Sequence, residues 1–344
     1  MDRRRWMMLL MGPAPIVTGW LALARWLEPS EAPRVTSNHV VEHVVRFAEK
    51  DREPKAETGA PTTNTEATLP QPETGAEIDL AADCRKTAEQ VSAQLGEHCE
   101  VIVSSPFVVG GNLTQQELND WVQRTIGPAS RAMANCYFDK PPTRPITVLL
   151  FRDEESYNHY ASAIFGDEGL SVYGYYKPNL RTLVMNIGTG GGTLVHELTH
   201  ALIDFDFPDV PDWFNEGLAS LHEQCSILSD ESGIRGLENW RLAGLQKTIR
   251  DGRLRSLETL IHDDDFRGAE VGLNYAQARY FCLYLQRDGN PRGQNVLPEF
   301  YRRLRKGREA DPRGAAAVRD TFPDLSWAEL DRDFQRWALE LKAP

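Results

Sequence analysis

Apolar and polar residues follow two rhythms along this chain. Helical spacing of apolar positions marks residues 80–95, the stretch following Thr114 to about 137, and 153–165. Between them lie short apolar runs rich in β-branched residues: 100–109, 146–151 (ITVLLF), 171–176 and 181–187. These predict strands, the last two joined as a hairpin through Lys177-Pro178-Asn179. Gly110-Gly111-Asn112 predicts a turn, and Thr114 with Glu117 has the spacing of a capping box. From 193 onward only helical periods recur, at 236–250, 254–261, 274–287, 296–305 and 327–341. The pattern therefore predicts an α+β fold: a small mixed sheet packed on helices, followed by a helical C-terminal half.

The first 77 residues follow neither rhythm. Arg3, Arg4 and Arg5 precede an uncharged run over 6–24, and Ala22-Leu23-Ala24 has small-x-small character. Residues 1–27 read as a signal peptide or an N-terminal membrane anchor, the run being close to the ~20 residues that span a bilayer. Either reading predicts an exported, periplasmic or extracytoplasmic protein, attached to the membrane, if at all, through this segment only. Residues 28–77, rich in Pro, Thr, Glu, Ala and Gly, read as a disordered linker. Within it, 38–50 is amphipathic and predicts a short helix with His39 and His43 one turn apart, a pair with no third ligand near.

Composition narrows the function classes. The net charge of −12 argues against nucleic acid and against anionic lipid surfaces as partners. Five cysteines suit export; Cys84 with Cys99 is the closest pair and the first expected disulfide. Cys225 and Cys282, both in expected helices, are candidates for a second, leaving Cys136 over. The basic stretch Arg302-Arg303-Leu304-Arg305-Lys306 reads as a solvated helix face.

The chemistry is concentrated in Thr193-Leu194-Val195-His196-Glu197-Leu198-Thr199-His200, which contains H-E-x-x-H. On a helix, His196 and His200 share one face and can reach one metal ion, with Glu197 beside them to hold a metal-bound water. Gly190 to Gly192 precede the helix, with Thr193 as its expected N-cap. Catalytic zinc takes three protein ligands and an open position. Pro211-Asp212-Trp213-Phe214-Asn215-Glu216-Gly217-Leu218-Ala219 supplies the third, Glu216, after a turn long enough to begin a second helix. One bound Zn²⁺ is expected. The chain then divides as an α/β N-terminal subdomain over 78–192 and a subdomain of zinc-site and C-terminal helices over 193–344.

HELTH followed by PDWFNEGLA resembles the gluzincin metallopeptidases, in particular the small bacterial peptidase MA-like proteins. The resemblance implies a zincin-like fold, His196, His200 and Glu216 as zinc ligands, and Glu197 as general base. It further implies Tyr275, in Asn274-Tyr275-Ala276-Gln277-Ala278, as the donor to the oxyanion. It implies a peptide or protein substrate, added as a strand along 182–186 at a sheet edge. The residue four after the glutamate ligand, often acidic in gluzincins, is Ser220 here. His222 reads as a packed side chain rather than a ligand. Endopeptidase and exopeptidase action both stay open. So do a catalytically silent binding or scaffold protein on the same fold, and a zinc hydrolase of a non-peptide bond.

Overall fold

A computed structural model describes residues 42–45, 79–169, 171–342 and 344. The leader reading of 1–27, His39 and the linker apart from 42–45 lie outside the described residues. Among the described residues no helix is long and apolar enough to cross a membrane.

The first described element is a strand, β1 (Glu42–Val45), not the expected helix. Helix α1 (Leu80–Leu95) starts at Asp79, whose side chain accepts from the Ala82 N–H. The apolar run 100–109 is not one strand but an antiparallel hairpin of β2 (Glu100–Ser104) and β3 (Phe107–Gly111). Pro106, which has no N–H for a ladder, sits in the turn. Gly110 and Gly111, expected as a turn, end β3. A Cβ on Gly111 would fall 1.8 Å from the Leu150 carbonyl oxygen, so only glycine allows this close approach of strands.

Helix α2 (Gln115–Trp121) carries the expected capping box between Thr114 and Glu117. It runs through a π-helical turn, Val122–Ile126, into α3 (Gly127–Cys136). Pro128 cannot donate, and just before it the ladder widens so that the Gly127 N–H reaches the Val122 carbonyl. Then follow β4 (Ile146–Phe151), α4 (Glu154–Phe165), β5 (Gly174–Lys177) and β6 (Thr182–Asn186). The helix that carries the H-E-x-x-H motif is α5 (Gly191–Asp206), followed by α6 (Asp212–His222). It starts earlier than expected: Gly190 is its N-cap and Thr193 lies inside. Two short strands come next, β7 (Cys225–Leu228) and β8 (Ile234–Gly236). The rest is helical: α7 (Arg241–Arg250), α8 (Leu257–Ile261), α9 (Val271–Gln286), α10 (Leu297–Gly307), α11 (Ala315–Thr321) and α12 (Trp327–Glu340). The fold is thus α+β with a mixed sheet and a helical C-terminal half.

The five-stranded sheet has the order β2-β3-β4-β6-β5, with β3, β4 and β6 parallel and the outer pairs antiparallel. Side chains alternate between its faces. Val148, Leu150, Leu183 and Met185 join Leu194, Val195 and Leu198 in the main core, while Leu149, Phe151 and Val184 join Cys84, Val91 and Tyr157 in a smaller one. Helices on both faces explain why β4 is apolar at nearly every position. On α5, Leu194, Leu198 and Leu202 are buried, each contributing roughly 1.5–3 kcal/mol.

The sheet order corrects one expectation. β6 is hydrogen-bonded on both sides, to β4 and to β5, so 182–186 offers no open ladder to a peptide. The outer strand on that side is β5. The second sheet, β1-β7-β8, is antiparallel, with His43 on a strand opposite Ile227 rather than on the expected helix.

The expected disulfides are absent as well: all five cysteines are free. Cys84 faces the Ser105 hydroxyl at 3.9 Å, whereas Cys99 bonds to Tyr160, so the two thiols point to different neighbours. Cys225 lies on β7, not on a helix, and Cys282 on α9. Burial pushes the Cys225 thiol up to about 12.

Candidate metal centre

His196 and His200 stand one turn apart on α5, and their Nε2 atoms are 3.0 Å from each other. α6 brings Glu216 against both. Its Oε2 lies 3.3 Å from His196 Nε2 and 3.5 Å from His200 Nε2, without a hydrogen bond of good geometry to either. These are the three residues among those described whose donor atoms converge closely enough to hold a metal ion. Glu216 is in the second turn of α6, which starts at Asp212.

The triangle has the dimensions of a metal site. Bonds of ~2.0–2.1 Å in tetrahedral geometry place neighbouring ligand atoms about 3.3 Å apart. The observed edges of 3.0, 3.3 and 3.5 Å straddle that length. A pair of like imidazole nitrogens and a carboxylate oxygen, turned on one another and largely buried, form a poor hydrogen-bonded cluster but a good set of donors to a cation.

Both imidazoles are held from behind. The His200 Nδ1–H donates to Asn215 Oδ1 at 2.8 Å, and Glu223 Oε1 lies 3.0 Å from His196 Nδ1. Asn215 accepts from His200 and so orients that ring, while the Glu223 carboxylate lies beside His196 Nδ1 without a hydrogen bond of good geometry. Asn215 thus has the orienting role that sequence alone leaves unassigned. Ser220 does not; its buried hydroxyl has no hydrogen-bond partner. Glu223 is a residue that sequence reasoning misses altogether. It stands two helical turns past Glu216, so its i+7 spacing is the signal that could have found it. Arg241 in turn pairs with Glu223, its Nη2 3.2 Å from Oε1.

The electrostatics favour positive charge. Burial works against charging His196, but the carboxylates of Glu216 and Glu223, with Glu197 nearby, outweigh it and raise its pKa to about 10. His200 is raised in the same way, against burial, mainly by Glu216. Burial likewise opposes ionisation of Glu223, yet Arg241 and His196 hold it down at about 2. A site that draws protons onto buried imidazoles is one that draws cations.

Glu197 is half-buried on α5, next to His196, with its charge felt by both rings. Tyr275, on the second turn of α9, has its hydroxyl against the Glu216 carboxylate and the Arg267 guanidinium. Burial and the negative charge of Glu216 push its pKa up, so it keeps its proton and remains a donor. Other tyrosines are engaged elsewhere: Tyr280 donates to the Asn239 carbonyl at 3.1 Å and Tyr175 to Asp167 at 2.5 Å. His222 is fully buried, with Nδ1 3.1 Å from Thr199 Oγ1 and its ring 5.7 Å from that of Tyr137. Burial and Arg279 push its pKa down to about 3, so it stays a neutral packed side chain.

Gly217 explains how α6 comes so near α9. A Cβ there would sit 2.9 Å from the Ala278 carbonyl oxygen and 3.0 Å from Cys282 Sγ. Any larger residue would push α6, and Glu216 with it, off its neighbour. The chain as a whole matches no protein-family model and no curated protein.

Proposed function

We propose that this chain is a zinc-dependent hydrolase of peptide bonds, a metallopeptidase on the gluzincin plan with a zincin-like fold. His196, His200 and Glu216 hold one zinc ion, and Glu197 is the general base. The observation that carries the reading is the near-equilateral triangle of two Nε2 atoms and one carboxylate oxygen, with a fourth residue, Glu197, beside it and outside the donor set. A purely structural zinc site is closed by four ligands; three ligands and an adjacent carboxylate suit catalysis.

Zinc held by these three residues would supply Lewis acidity, which would lower the pKa of water toward ~7 and polarise a scissile carbonyl. Glu197 accepts the proton of the attacking water and returns it to the leaving amine. The Tyr275 hydroxyl donates to the oxyanion as charge develops. Asn215 orients His200 from behind, and the Glu223 carboxylate lies against His196 Nδ1. The substrate strand lies along β5, the outer strand, rather than along 182–186. β5 is tied to the motif helix by the Tyr176 hydroxyl, which donates to Asp204 at 2.8 Å. The charged and uncharged blocks of residues 1–27 support export.

Metal analysis of the purified protein, paired with digestion of a peptide library, tests this. One zinc per chain and cleavage that stops with a chelator and returns with zinc are expected. A chain that takes up no zinc would remove the reading; zinc without cleavage would leave a binding protein on the same fold. Tyr275→Phe is expected to slow turnover by roughly 10²–10³-fold at unchanged zinc content. Undiminished turnover in that variant would assign the oxyanion donor elsewhere.

A further inference from the structure

Arg267 belongs to no motif, yet it reaches the centre of the site. It is carried by the loop between α8 and α9, and that loop is fixed on both sides of it. Phe266 is buried, its ring 5.5 Å from that of Tyr275, and its carbonyl accepts from Asn274 Nδ2 at 2.7 Å. The Gly268 N–H closes a turn onto the Asp265 carbonyl at 2.9 Å, and the Asp265 N–H donates to Asp263 at 2.9 Å. From this anchored backbone the guanidinium extends to Glu216: Nη2 donates to Oε1 at 2.6 Å, while Nη1 lies 3.4 Å from Asp212 Oδ1.

The two oxygens of Glu216 are therefore unlike. Oε1 is held by Arg267, and Oε2 faces the imidazoles. We infer that Arg267 is a positioning residue of the metal centre, which fixes the Glu216 carboxylate so that a metal meets Oε2 alone. This rests on the zinc reading above. The last torsion of a glutamate is soft, so an unheld carboxylate can turn and offer both oxygens. A second oxygen at the metal takes the position that water needs. An arginine is suited to prevent this, because its charge is permanent and its charge-assisted hydrogen bond is short and directional. The Arg267 side chain is 52 % exposed, so its removal opens no hole in the core.

The test compares Arg267→Ala, Arg267→Lys and Glu216→Ala with the native chain. Zinc dissociation constants are measured by chelator competition, and visible absorption is recorded on the cobalt-substituted proteins. Arg267→Ala is expected to weaken zinc binding by about 10–100-fold. Its cobalt absorption should fall in intensity as the second oxygen raises coordination from four toward five. Arg267→Lys should recover part of the affinity, since the charge returns without the fork. Zinc affinity within about twofold of native in Arg267→Ala, with an unchanged cobalt spectrum, would overturn the inference. Glu216→Ala separates the two levels. Loss of zinc there with no change in Arg267→Ala sinks the inference alone, whereas retention of zinc in both sinks the zinc centre itself.

Discussion

The Glu197→Gln protein is expected to bind zinc as the native chain does and to hydrolyse peptide bonds at least ~10²–10⁴-fold more slowly. The substitution keeps the volume of the side chain and a hydrogen bond to water, but an amide cannot take up the proton of that water. Zinc content should be unaffected because Glu197 is outside the donor set of His196, His200 and Glu216. The nearby negative charge is lost, and with it part of the pull on the two imidazoles, which is a smaller effect than loss of a ligand. Zinc stoichiometry and peptide turnover, measured on the same preparation, decide the matter. Cleavage at the native rate with full zinc in the Glu197→Gln variant would take the role of base away from this position.

Asp206→Ala is expected to destabilise the fold by on the order of 3–5 kcal/mol. Asp206 ends α5 with its carboxylate fully buried. It accepts from the Asp139 and Lys140 N–H groups at 3.0 and 2.9 Å, from the Tyr301 hydroxyl at 2.7 Å, and from Arg305. Alanine would leave two backbone donors, a buried phenol and a charge without their acceptor at once. Each unsatisfied buried donor costs roughly 1–3 kcal/mol, and Arg305 retains only Asp139 as a partner. Such a loss is a large share of the ~5–15 kcal/mol that holds most domains folded. Denaturant unfolding should show a lower midpoint at an unchanged slope. A change below about 1 kcal/mol would mean that water replaces these bonds and that the carboxylate does not anchor the end of α5.

The same cluster shows where local pattern misleads. Arg305 lies in a basic stretch, Arg302 to Lys306, that reads as a solvated face. In the fold its side chain is 17 % exposed and bridges Asp206 and Asp139. No local pattern reveals the partner, since α10 and the end of α5 are far apart in the chain. The strand pattern fails for a related reason. A run such as 181–187 announces a buried strand, but β4 and β5 on its two sides are a matter of long-range pairing. The hairpin at 100–111 is hidden because Pro106 breaks a run that is apolar on both sides.

What the amino-acid order determined by itself is whatever depends on near neighbours. The helical period puts His196 and His200 on one face with Glu197 beside them. Thr114 with Glu117 caps α2, and 146–151 forms a strand. The tertiary structure alone decided that Glu216 arrives within 3.5 Å of both rings, that Glu223 and Asn215 stand behind their Nδ1 atoms, and that Arg267 takes the outer carboxylate oxygen. It also decided that the cysteines stay apart and that β5, not β6, is the outer strand. The division has a physical cause: backbone geometry repeats over a few residues and is written locally. Which surfaces meet depends instead on how helices and strands distant in sequence bury their apolar faces together.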